Sequence, residues 1–138
     1  MAAVRKSVRL VDETIELCGV LSRGSEINYS GSLNGMAQRY NILIKDSLPE
    51  LGEGESKAIC AAFNGYSMAD NISQDIAGFE WHISESMQYD GNFNDILTHY
   101  KIDGEEFKTR IRGWSEAQRL AVIDMTQRFW NAGPKSET

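Results

Sequence analysis

One short stretch near the N-terminus, Val4–Leu10, alternates with period two in a chain whose other periodic segments all have helical spacing. Val4, Lys6, Val8 and Leu10 share one parity and are apolar apart from Lys6, whereas Arg5, Ser7 and Arg9 on the other parity are polar. This pattern predicts a half-buried strand. A lone strand leaves its backbone donors and acceptors without partners, so solvent or a second molecule must supply them. A second copy of the same strand would complete a two-stranded antiparallel ribbon, with Arg5, Ser7 and Arg9 of both copies on one open face. Such a ribbon fits the major groove of DNA, where arginine makes bidentate contacts to guanine.

Everything downstream reads as helix. Asp12-Glu13 offers an N-cap and a first-turn acid for a helix over about Asp12–Ser22, with Leu17, Val20 and Leu21 on its apolar face and Gly24 as its stop. Leu33, Ala37, Tyr40 and Ile44 then fall at i, i+4, i+7 and i+11, an amphipathic stripe capped by Ser30 and closed before Pro49. Ser47–Gly54, with Pro49, Gly52 and Gly54, marks the one strong boundary. Beyond it the spacing predicts helices over Glu55–Phe63, Ser73–Gln88, Asn94–Tyr100, Glu105–Ile111 and about Glu116–Asn131. Asp103 with Glu106 and Ser115 with Gln118 form capping-box pairs at two of their starts. The fold class is therefore mainly α. Residues 1–47 carry the strand and two helices, and residues 50–134 form an acidic helical domain.

Charge divides along the same line. The 138 residues carry a net charge of −6, yet residues 1–45 hold six basic and four acidic side chains while residues 46–138 hold eight and sixteen. A basic end on an acidic body is a feature of nucleic-acid-binding arms. No apolar run approaches the ~20 residues of a membrane span, and Met1–Leu10 lacks the apolar core of a signal peptide. Cys18 and Cys60 lie on helical core stripes, where reduced buried thiols and a cytoplasmic location are expected.

Strand, helix, turn and helix over Arg5–Lys45 resemble the ribbon-helix-helix DNA-binding family of the Arc and MetJ repressors. Arg5-Lys6-Ser7-Val8-Arg9-Leu10 stands where that family places its groove-reading strand, and Asn28-Tyr29-Ser30-Gly31-Ser32-Leu33 resembles the turn and opening of its second helix. The resemblance implies a homodimeric transcriptional regulator, a repressor or an antitoxin, on a roughly palindromic stretch of double-stranded DNA. It implies base reading by Arg5, Ser7 and Arg9, and phosphate contacts from Lys6, Arg23, Asn28, Tyr29 and Ser30 at the positive end of a helix. A dimer core of Val8, Leu10, Leu17, Leu21, Leu33, Ala37, Tyr40 and Ile44 goes with it. The likeness covers about forty residues and departs at Lys6, where an apolar residue is common, and at Gly31 and Gly35, which weaken a helix opening.

Other chemistry finds little footing. Asn94–Ile111 has the outline of a helix-turn-helix, with Lys101, Lys108, Arg110 and Arg112 as phosphate ligands, but Asp103, Glu105 and Glu106 crowd its second helix and favour a plain helical hairpin. His82 and His99 have no cysteine or histidine at ligand spacing, no calcium-loop or phosphate-loop motif is present, and no enzyme, cofactor or metal is expected. The aromatic residues cluster after Pro49, and Trp81, Tyr89 and Trp114 would form a partner-binding surface if exposed. The alternative to a DNA-binding regulator is thus a helical inhibitor or adaptor that binds protein and never DNA. Deleting residues 1–10 separates the two: a ribbon dimer dissolves or scrambles, whereas a helical module stays folded and monomeric. Light scattering of full-length and 11–138 protein reads the difference.

Overall fold

The computed structural model describes residues 9–22, 26–64 and 72–132. Eight helices run through them: α1 (Asp12–Leu21), α2 (Tyr29–Ser47), α3 (Glu53–Ala62), α4 (Ile72–Ala77), α5 (Phe79–Tyr89), α6 (Gly91–His99), α7 (Gly104–Arg112) and α8 (Glu116–Ala132). The mainly α class holds. The chain divides into two compact units, Met1–Ile42 and Leu43–Thr138, with α2 running across the division. Of the expected strand, Val4 to Val8 lie outside the described residues, and Arg9 and Leu10 have no regular secondary structure.

The second unit has a core of its own. Phe79, Phe93 and Phe107, from α5, α6 and α7, are withdrawn from water beside Ile59, Ile83, Ile111, Val122 and Ile123. Burying a side chain of this size contributes about 1.5–3 kcal/mol. α3 packs most extensively on α6, and α8 is central to the core: Ala121, Val122, Ile123 and Asp124 are all buried. The last turn of α8 emerges from the core, with Phe129 49% and Trp130 36% exposed, and the Trp130 indole N–H donates to the Cys60 carbonyl at 2.8 Å. Arg119 threads between elements, its guanidinium 3.4 Å from the carbonyls of Ile76, Ile111 and Arg112. These lie in the last turns of α4 and α7, where a cation is favoured by the helix dipole.

Several boundaries differ from the sequence reading, each for a local reason. The segment expected as one helix over Ser73–Gln88 breaks at Gly78, whose ψ of 3° leaves helical geometry. The break turns Phe79 and Ile83 fully into the core. α1 has Val11, not Asp12, at its N-cap, without a side-chain cap, and α2 is capped by Asn28 rather than Ser30, which is already helical. Ser115 and Gln118 form the complete reciprocal box (2.8 and 3.1 Å), and Asp103 accepts from the amides of Glu105 and Glu106. At the start of α3, Glu55 reaches back to the Gly52 N–H at 2.9 Å.

The α6–α7 turn rests on two backbone devices. Lys101 adopts φ 55°, and the Ile102 and Lys101 amides donate to the carbonyls of Leu97 and Thr98, the paired bonds of a Schellman ending. Gly54 lies under the Tyr100 ring: a Cβ there would come within 2.4 Å of Tyr100 Cγ and 2.6 Å of its Cβ. Two substitutions should therefore act in opposite directions. Gly54→Ala should cost about 1–3 kcal/mol through overpacking, whereas Lys101→Gly should add up to about 1 kcal/mol by removing left-handed strain. The shift in urea midpoint at unchanged m-value measures both.

Candidate functional site

In the first unit α1 and α2 are joined through hydroxyl groups rather than through a hydrophobic core. The Cys18 carbonyl accepts from Ser22 Oγ at 2.8 Å and from buried Ser32 Oγ at 3.3 Å, and Ser22 Oγ in turn accepts from the Asn28 amide at 3.1 Å. Asn28 Oδ1 then takes the Gly31 N–H at 2.9 Å. Gly31, which weakens a helix opening on propensity alone, lets the Asn28 amide lie close over the first turn: a Cβ would fall 2.7 Å from Asn28 Nδ2, and that exposed side chain would have to shift. Gly35 has no such neighbour and faces open space in a cleft of about 430 Å³ that is also lined by Glu26 and Arg39.

The apolar residues of this unit remain largely uncovered. Among its described residues only Cys18 and Ser32 are buried. Leu17 and Val20, expected on the inward face of α1, are 42% and 66% exposed, and Val11 is 67% exposed. Of the expected dimer-core set, Leu10, Leu21, Leu33 and Ile44 are half-buried, Ala37 and Tyr40 are exposed, and Val8 lies outside the described residues.

Arg9 is exposed in the segment leading into α1, whereas Arg5, Lys6, Ser7 and Arg23 lie outside the described residues. Asn28, Tyr29 and Ser30 are exposed together at the start of α2. The Asn28 side chain is spent on the Gly31 amide, while the first amides of a helix have no acceptor within it and present the positive end of its dipole. Anion-binding capacity here therefore belongs to the backbone of Tyr29 and Ser30 more than to the Asn28 side chain.

Three of the four cations in the helix-turn-helix outline at α6–α7 are drawn to carboxylates, and the fourth, Lys101, is exposed in the turn. Arg110 pairs with Glu55, Arg112 with Glu80 at 2.8 Å, and Lys108 approaches Glu105 at 4.0 Å. A cleft of about 440 Å³ lies nearby, lined by Gly52–Glu55, Tyr100–Asp103 and Arg110. At its edge Lys57 Nζ donates to the Tyr100 hydroxyl at 2.9 Å and pairs with Glu53 at 3.3 Å, and the tyrosine and the carboxylate hold its pKa above the ordinary lysine value. Ion pairs engage Glu53, Glu55 and Arg110 of its lining, and Asp103 caps α7.

Cys18 and Cys60 are both free and buried, and burial pushes the Cys60 thiol up. A His82 ring nitrogen lies 2.6 Å from the Ala62 carbonyl, with the ring against Phe63. Among the described residues no group of three or more His, Cys, Asp or Glu side chains is placed to hold a metal ion, and no helix is long and apolar enough to cross a membrane. Of the three aromatic residues named as a surface, Trp114 packs against Phe79, whereas Trp81 and Tyr89 are exposed. No protein-family model, no curated protein and no solved structure matches the chain.

The uncovered face of α1 generates its own test. Leu17→Ser with Val20→Ser replaces exposed side chains, so an isolated chain should keep its helical circular dichroism. If a second copy covers that face, the double variant should shift the monomer–dimer equilibrium at least tenfold toward monomer in sedimentation equilibrium.

Proposed function

We propose that this chain is a homodimeric, sequence-specific DNA-binding regulator of the ribbon-helix-helix type. The observation that carries the reading is the first unit: two helices joined by hydroxyl groups, with Val11, Leu17 and Val20 uncovered, directly behind a segment with three cations and no acid. In the proposed dimer, Val8, Leu10, Leu17, Leu21, Leu33, Ala37, Tyr40 and Ile44 pack against the partner copy. The paired N-terminal strands present Arg5, Ser7 and Arg9 to base edges in the major groove. The opening of α2 at Asn28, Tyr29 and Ser30 holds a phosphate, and Lys6 and Arg23 add sequence-independent attraction. Two-fold symmetry of the protein calls for a roughly palindromic site. The acidic second unit contributes nothing to phosphate attraction, so affinity rests on the N-terminal unit.

Arg5→Ala with Arg9→Ala is the direct test, after operator selection from a random duplex library. The double variant should remain dimeric, lose specific binding by at least about a hundredfold at fixed salt, and lower the slope of affinity against salt. Unchanged operator affinity would remove the ribbon readout. Failure of the wild-type protein to enrich any duplex would favour the protein-binding alternative.

A further inference from the structure

The second unit offers a surface that DNA binding does not use. α5 is inverted relative to an ordinary surface helix: its inner face buries Phe79, Ile83 and Ser86, and its outer face carries Trp81, Glu85 and Tyr89 at i, i+4 and i+8. Trp81 is 66% and Tyr89 73% exposed, the largest values among the exposed aromatic side chains. Three other polar groups of the helix and its C-cap are engaged elsewhere. Glu80 is held by Arg112, Asp90 caps α6 through the Phe93 amide, and His82 meets the Ala62 carbonyl. Glu85, half-buried between the two rings, makes no ion pair among the described residues.

Charge narrows the occupant. From Ala58 to Tyr100 the sequence contains no lysine or arginine, against six carboxylates. α5 itself carries carboxylates and no lysine or arginine, so a phosphate backbone gains no attraction from its side chains. A second copy of the chain would set Glu85 and its acidic surroundings against their own image, since a two-fold interface brings the same patch together. A cationic protein segment meets neither obstacle. A guanidinium stacks on an indole or phenol face and forks onto a carboxylate, and eight residues of helix set the two aromatic positions about 12 Å apart along the helix axis, within reach of two arginines on one extended segment.

We propose that the Trp81–Glu85–Tyr89 face of α5 is a docking site for an arginine-bearing segment of a partner protein. The site stands independently of DNA binding by the first unit. The two rings supply the anchoring area, as aromatic residues do at interface centres, and Glu85 selects charge and register between them.

Calorimetric titration of the full-length protein with a capped hexa-arginine peptide, at low and physiological salt, tests the site. Trp81→Ala with Tyr89→Ala keeps every charge and should weaken binding at least tenfold, while Trp81→Phe with Tyr89→Phe retains most of it. Glu85→Gln should weaken binding three- to tenfold, and Glu105→Gln on α7 should leave it unchanged. Unaltered thermal melting of the variants confirms that the fold is intact. Three results would overturn the proposal: no binding by the wild-type protein at millimolar peptide, equal binding by the double-alanine variant, or equal losses for Glu85→Gln and Glu105→Gln. Self-association that disappears with Trp81→Ala and Tyr89→Ala would assign the face to a second copy instead.

Discussion

Two helices packed side by side can each bury one strip of surface, and whatever apolar area lies outside that strip stays wet unless a third layer covers it. The two units of this chain meet the constraint differently. In the second, α3, α5, α6, α7 and α8 enclose a common interior, and Phe79, Phe93, Phe107 and the isoleucines around them lose essentially all contact with water. In the first, α1 and α2 bury one apolar side chain, Cys18, and their junction is held by serine and asparagine. The second unit is thus stabilised from within. In the first, Val11, Leu17, Val20 and Ile42 stay exposed.

That difference bears on how the proposed dimer would behave. Apolar area covered on association contributes about 25 cal/mol per Å² before the entropy of association is subtracted. A unit that covers its hydrophobic face only in the dimer couples its own folding to assembly, and its apparent stability then depends on concentration. The second unit carries no such dependence in its core.

Local chemistry was legible where a few adjacent residues decide the outcome. Pro49 closes α2 just after Ser47, and Ser115 with Gln118 makes the box that their spacing implies. Among the described residues the amphipathic spacing located the helices after Pro49, although Gly78 divides one expected segment into α4 and α5. The α2 cap was misplaced by two residues, because Asn28 and Ser30 are both good caps and only the fold of the turn chooses between them. The glycines show the same limit. Gly31 answers to its own cap and Gly54 to a tyrosine 46 residues away, and no propensity scale distinguishes the two.

By itself the sequence determined the helical class, the break at Pro49, the basic start and acidic remainder, and the residues suited to caps. Each of these depends on neighbours within about one helical turn or on charge alone. The three-dimensional arrangement decided which apolar residues are dry. Periodicity shows that Leu17, Val20, Ile83 and Phe107 share helix faces with other apolar residues, but a helix face is buried only if another element covers it. α5 and α7 find neighbours within this chain, and the same chain leaves much of α1 without them. The tertiary fold also decided which charges are spent, closing Arg110 on Glu55 and Arg112 on Glu80 while leaving Glu85 between two exposed rings. Ion pairs between distant segments depend on how the chain folds back, and residue spacing carries no record of that.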